Sequence, residues 1–540
     1  MESVNVERLD HLGVVASVIK DLGITEMIDT RLRVHDQEEI TAGTAIAGMI
    51  LNGLGFSNRP LSFTPQFFAN KPLDLLFHEG VKAEMFNRFK LGRSLDEVYV
   101  YGCDLLFSEV AMAVCAREGI DQRFNHLDTT SFSLTGDYEP ESDEHAIAIT
   151  HGYSKDHRPD LKQAVLELMV SQDGGVPFMS KSWDGNASDT KVFQERARAL
   201  LTTFQHSPSP RYLVADCKLY HADNAENLKS LQFITRIPNT LKVVSQVIMQ
   251  ALAMDTWHDI GGQMRYQRLE LCHYGIEQRW LVVFSQAAAL RAEATVNKGQ
   301  HREYEAIQQQ LFHLQAQRFA SESLAQETLA MLGKKWRYHQ LESYELTAHK
   351  HYGKKGRPTA ATPVTATEWQ MQAYVKPDAE RLQHAKQLAS CFVLGSNIAV
   401  EQLSDVEVIA GYKGQAQAES GFRFLKDPLF FVSSLFVKKP SRIQGLLMVM
   451  TLSLLVYSVA QRRLRQQLAR QNDTLPNQIN QPTSRPTLRW VFQLLEGIHR
   501  VQVTVQDQVH TLIEGLNEVR IKILRLFGER VCQVYQIASG

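Results

Sequence analysis

Apolar residues recur three and four positions apart through the first 120 residues, the spacing of amphipathic helices. LGVVASVIKDLGITEMIDTRL, residues 12–32, carries that pattern on both sides of Asp21–Gly23. A helix-turn-helix would give it, and so would two ordinary packed helices, the reading that acidic surroundings favour. A further helix is predicted over Ser94–Arg117, opened by Ser94 with Glu97 three residues later. From Phe124 the pattern shortens to that of strands. Asn125–Ser133, Ala146–Ile149, Ala164–Val170, Val176–Lys181 and Tyr212–Ala215 are the candidates, with a tight turn at Asp173-Gly174-Gly175 and a helix over Asp189–Leu201. Strand-like pieces at Arg265–Cys272 and Arg279–Phe284 precede a long Gln-rich helical stretch, His301–Leu332, and a basic Pro/Thr/Ala-rich linker, Lys354–Thr367. A strand at Ser390–Leu394 and a helix over Val406–Lys426 follow, the helix stopped ahead of Pro428.

The run Gly445–Ala460, GLLMVMTLSLLVYSVA, is apolar on every face. It falls short of the roughly 20 residues a span needs and contains Gly, Thr, Ser and Tyr, so a buried core helix is expected, with no membrane association. The last fifty residues read as helix, two short strands and helix. The predicted organisation is a helical N-terminal domain over 1–120, a candidate DNA-binding module. The first part of an α/β core follows over 121–232, then a β-rich insertion with a long helix over 233–389. The second part of the core spans 390–470, and a C-terminal linker and small segment 471–540.

Composition narrows the function. At 44% hydrophobic and 22% charged residues the chain is made to fold. The net charge of -1 excludes a uniformly basic coat but hides an asymmetry. Residues 1–124 carry 12 Lys/Arg against 18 Asp/Glu, and residues 411–470 carry 10 against 2, a net of +8. Six scattered Cys form no CxxC pair, which argues against a zinc ribbon or disulfide framework and suits a reducing cytosol. The N-terminus lacks a signal-peptide pattern, so a cytoplasmic location is expected.

Three carboxylates stand out: Asp128 in NHLDTTSF, Asp216 in YLVADCKLY, and Glu419 in GYKGQAQAESGFRFLKDP. On one continuous helix Tyr412, Gln415, Glu419, Arg423 and Lys426 project on a single face, a carboxylate among a phenol and cations. A surface ion pair between Glu419 and Arg423 is the plainer account. His151, Lys155, His157, Arg158 and Lys162 flank the Gly–Tyr–Ser of GYSKDHRPDLKQ, a candidate DNA-facing loop or a solvated turn. Asp184, Asp189 and Asp223 read as turn and cap residues. Cys217 with His221 lacks the partners of a metal site.

The residues Tyr412-x2-Gln415-x3-Glu419-x6-Lys426 resemble the signature Tyr-x2-Arg-x3-Glu-x6-Lys of a large group of DDE insertion-sequence transposases, departing from it at Gln415. GYSKDHRPDLKQ is similar to the same group. The resemblance implies a ribonuclease-H-like catalytic core with a mixed sheet, interrupted by a β-rich insertion. Asp128, Asp216 and Glu419 would be catalytic and would bind Mg²⁺, with Mn²⁺ able to substitute. Tyr412, Gln415, Arg423, Lys426, Lys155, Arg158 and Lys162 would contact DNA. Three hard oxygen ligands suit a pair of such ions in phosphodiester chemistry. The partners implied are transposon-end and target duplex DNA and a second copy of the chain on paired ends. No small-molecule cofactor is implied, and no Walker motif occurs. In that group Trp280 would be the insertion's candidate base-stacking residue, though a core role is expected for it here. A non-catalytic DNA-binding relic and a stand-alone nuclease on the same core are the rival readings.

Overall fold

The computed structural model describes residues 3–33, 37–57, 60–141, 143, 145–205, 210–353, 357, 359, 362–430, 437–506 and 508–538. The chain forms two compact units, one from residues 1–235 with 407–540 and one from residues 236–406.

In the first unit β1 (Ser3–Arg8) pairs antiparallel with His499–Val505, which pairs with Gln508–Glu514. The N-terminal region is therefore not wholly helical; Ser3-Val4-Asn5-Val6-Glu7 alternates with the period of a strand, a signal the helical reading passes over. Helices follow. Leu12–Leu22 ends at Gly23, whose φ of 67° only a residue without a side chain adopts easily, and Ile24–Asp29 continues at once. Their buried apolar faces make them core helices. The single helix expected over Ser94–Arg117 is two, Arg88–Tyr101 and Cys103–Glu118, broken at Gly102 (φ 107°). Asn87 caps the first by accepting from the backbone N–H groups of Phe89 and Lys90.

The sheet of this unit is built from β2 (Phe124–Leu134), β3 (Lys162–Ser171), β4 (Pro177–Trp183), β5 (Tyr212–Ala215) and β6 (Phe233–Arg236), in the order β4-β3-β2-β5-β6. β2, β3 and β4 are antiparallel, and β5 and β6 run parallel to β2. Gly174 and Gly175, at φ 84° and 64°, make the β3–β4 turn. The crossover from β4 to β5 uses the helix Asp189–Gln205, as a parallel connection requires. This is a ribonuclease-H-like core. No strand forms at Ala146–Ile149, where only Thr150 bridges to Gln163.

The apolar run sits in a helix, Pro440–Arg470, long and apolar enough to cross a membrane. Yet 89% of its most apolar window is buried inside the protein. It packs on Ala42–Leu54, Arg88–Tyr101, Cys103–Glu118 and β4. Its flanking arginines turn inward: Arg442 pairs with Asp96 at 2.7 Å, Arg462 with Asp173 at 2.6 Å, and Arg463 with Glu118 at 2.7 Å.

In the second unit β7 (His258–Asp259), β8 (Met264–His273), β9 (Ile276–Ser285) and β12 (Cys391–Ser396) form an antiparallel sheet in the order β7-β8-β9-β12. The strand expected in the second part of the core, Ser390–Leu394, thus pairs with β9 in this unit. β10 (His339–Tyr352) and β11 (Val364–Pro377) form a long hairpin over the helices Gln286–Ala316 and Glu322–Gly333. The helix expected across His301–Leu332 is broken where Phe319 bridges to Trp369. Of the expected linker Lys354–Thr367, residues 354–356, 358, 360 and 361 lie outside the described residues, and from Val364 the chain is already strand.

Candidate active site

Backbone register brings the first two carboxylates together. Leu127 of β2 pairs with Ala215 of the parallel β5. Asp128 is the next residue of β2 and Asp216 the first beyond β5, on neighbouring strands that lie about 4.8 Å apart. The Thr129 N–H donates to Asp128 Oδ1 at 2.7 Å and the Lys218 N–H to Asp216 Oδ1 at 3.0 Å. These bonds orient Asp128 within β2 and Asp216 just beyond the end of β5.

Glu419 arrives on a separate helix. The expected continuous helix over Val406–Lys426 is two, Asp405–Lys413 and Ala416–Leu425. The break is enforced sterically. A Cβ on Gly414 would lie 2.7 Å from His126 Nε2, so only glycine lets the chain pass over β2. The second helix buries Ala418, Gly421, Phe422 and Leu425, packing on β2 and β3, and leaves Glu419 exposed. The single projecting face argued from a continuous helix does not carry across the break.

The charges at this site are unbalanced. Burial pushes the Asp128 carboxyl up to about 6, against the pull of Lys155 and the Thr129 N–H, and the charges of Asp216 and Glu419 push it further. Asp128 thus feels both of the other carboxylates. The compensating cation is Lys155, whose Nζ donates to the Thr129 carbonyl at 2.6 Å and hydroxyl at 2.8 Å. Burial lowers the Lys155 pKa while the charges of Asp128 and Asp216 raise it. Asp189, 12% exposed, pairs with Lys155 at 3.3 Å and with Lys218, and accepts from the Thr129 hydroxyl. Asp189 opens a helix as expected, but it also clamps two lysines beside the carboxylates. No sequence spacing announces that, although Lys218 lies two residues after Asp216 and Thr129 one after Asp128.

The remaining candidates scatter. Gln415 is 7% exposed; its amide donates to the Leu127 carbonyl at 2.9 Å and its oxygen lies 3.3 Å from His126 Nδ1. Burial lowers the His126 pKa to about 4, so the ring is neutral there. Gln415 is therefore spent on the protein interior. Arg423 is exposed and makes no ion pair with Glu419 among the described residues. Lys426 pairs with Asp156 at 2.6 Å, Arg158 with Asp160 at 2.7 Å, and Lys162 Nζ donates to the Tyr138 carbonyl at 3.3 Å. Tyr412 is half-buried. Asp184 accepts from the Ala148 N–H at 2.8 Å, a turn role. Trp280 is fully buried in its own unit, with its ring N–H on Gln278 at 3.1 Å, the core role expected.

Three carboxylates from separate segments, with excess negative charge, are the donor chemistry a hard divalent cation selects. Among the described residues, however, no three His, Cys, Asp or Glu side chains close into a metal-holding group.

Comparison with known proteins bears on the whole arrangement. No curated protein sequence matches the chain. A structure that matches is the cryo-EM structure of a piggyBac transposase synaptic complex with hairpin DNA. Identity is 9% and the TM-score 0.34, over 89% of this chain and 77% of that one, a likeness that carries no argument. A family described as a domain of unknown function, DUF4277, matches residues 4–112. Another, described as Transposase DDE domain, matches residues 127–456, from the residue before Asp128 to a point beyond Glu419 and across more than half of the chain. With that match over more than half of the chain and a ribonuclease-H-like sheet inside it, the chain belongs to the DDE transposase family.

Proposed function

We propose that this transposase binds the terminal inverted repeats of its element, cleaves the DNA ends and joins them to target DNA. Asp128, Asp216 and Glu419 are the catalytic residues of this reading. The observation that supports it is the pairing of Leu127 with Ala215, the residues just before Asp128 and Asp216, together with the repulsion of Asp128 by Asp216 and Glu419. Phosphodiester cleavage needs an activated oxygen nucleophile and a stabilised leaving oxygen; Asp128, Asp216 and Glu419 would hold the divalent cations, which would supply both. Lys155 and Lys218 balance the carboxylates until that point. Arg423 and Tyr412 are the proposed DNA contacts on the Glu419 side, with Lys426 available if DNA displaces Asp156. Arg158 and Lys162 hold a similar place on the loop. The chain acts as a homodimer on paired ends.

The test incubates labelled DNA flanking the coding region with Mg²⁺ and a target plasmid. Strand-transfer joints support the proposal. Nicks alone make the protein a nuclease, and gel shifts without products make it a DNA-binding relic. Glu419→Gln keeps size and helix preference but removes a hard anionic ligand, so cleavage falls by orders of magnitude while DNA binding survives. Near-parental cleavage by this variant would remove Glu419 from the site.

A further inference from the structure

The basic segment 411–470 spends Arg442, Arg462 and Arg463 on internal carboxylates. What it leaves over is local. Lys438 and Lys439, just before the helix Pro440–Arg470, line a cavity of about 620 Å³ with Arg88, Phe89 and Arg93 of the helix Arg88–Tyr101. The floor is apolar, formed by Leu91 and Leu95 among others, and among the described residues no carboxylate lines it. Arg93 also borders a neighbouring cleft that carries Glu38, Glu39 and Glu97. Arg88, Lys438 and Lys439 are exposed and make no ion pair among the described residues. Phe89 is 65% exposed, with the Arg88 guanidinium 4.8 Å from its ring centre.

What sets Phe89 apart is its company: an open aromatic face beside several cations that make no ion pair among the described residues. The combination suits a ligand with planar apolar faces and regularly spaced anions. In a duplex the base faces are stacked on one another and hidden; in a single strand they are free. A cationic groove along the backbone with an aromatic platform is how single strands are held without regard to sequence. We infer that this groove binds a stretch of single-stranded DNA, one base stacking on Phe89 while Arg88, Lys438 and Lys439 neutralise the adjoining phosphates. The inference rests on the DNA-processing function proposed above, since cleavage at element ends frees strands that such a groove would hold.

The test is fluorescence anisotropy with the full-length protein in EDTA. The probes are a labelled single-stranded oligothymidylate and a labelled duplex of arbitrary sequence. Phe89→Ala should weaken single-strand binding about 5- to 150-fold, the equivalent of one lost base stack, with little change for the duplex. Phe89→Trp should retain affinity and Phe89→Leu should not, which separates stacking from plain apolar contact. Combined Arg88→Gln, Lys438→Gln and Lys439→Gln should flatten the salt dependence by about 2 log units per log salt, at about 0.7 for each phosphate on a single strand. Parental affinity in Phe89→Ala, or an equal loss on duplex and single strand, would overturn the inference. So would unchanged single-strand affinity in the triple variant with a loss of dimer mass in light scattering, which would make the groove a seat for a second copy. Metal-dependent cleavage is read separately. A groove that binds single strands in a protein that never cuts refutes the proposed function alone; cutting without single-strand binding refutes the groove alone.

Discussion

Replacing Asp128 by Asn removes one charge from a site that holds too many of one sign. In the folded protein the Asp128 carboxyl sits at about 6 rather than 3.8, first because it is buried and then because Asp216 and Glu419 repel it. Ionising the carboxyl in the folded protein therefore costs on the order of 3 kcal/mol more than in the unfolded chain. The folded pKa lies above the unfolded one. Below about pH 4 the carboxyl is protonated in both states and no cost arises; the cost grows as pH rises through about 6 and is complete above it. Asp128→Asn, which carries no charge at any pH, should match the parent near pH 4. It should exceed the parent by up to about 3 kcal/mol near pH 8 when metal is absent. The assay is urea denaturation in EDTA across that range, following the transition of the unit that contains the core sheet. Adding Mg²⁺ should then raise the parent's midpoint more than the variant's, because a cation among the carboxylates offsets their repulsion. A variant-minus-parent difference that stays flat with pH would refute the reasoning, since it would mean that Asp128 is not buried against other carboxylates.

Lys155→Met removes the cation that holds the Asp128 pKa down, so the pH window of instability should move above about 6 in the same titration. Asp189→Ala leaves Lys155 and Lys218 facing each other and the Thr129 hydroxyl without its acceptor; a loss of about 1–3 kcal/mol is expected, and a double-mutant cycle with Lys218→Met should show strong coupling. Gln415→Arg, which would restore the transposase signature, should destabilise by several kcal/mol, because it puts a guanidinium against the neutral, buried His126; a thermal melt equal to the parent's would show that the side chain escapes to solvent.

Much of the core was legible in sequence. Short apolar or Thr-rich runs gave β2 to β5, the Asp173-Gly174-Gly175 triplet gave the β3–β4 turn, and Asp128 and Asp216 could be placed on a strand and at a strand end. Those features are local: each depends on residues within a few positions of itself. The apolar run of Pro440–Arg470 was likewise readable as a core helix from its length and its polar interruptions.

Tertiary structure alone decided the rest. Whether Val406–Lys426 is one helix or two depends on His126, nearly three hundred residues earlier, occupying the space above Gly414. The same contact turns Gln415 inward, so a residue that matched a signature by spacing became part of the interior. The clamp of Asp189 on Lys155 and Lys218 joins three segments whose separations follow no period. The basic excess of 411–470 likewise could not be divided by sequence into arginines spent on Asp96, Asp173 and Glu118 and lysines left in an open groove. Periodicity reports which face of an element avoids water. Which charges are compensated, and which remain for a ligand, is fixed only when distant segments pack.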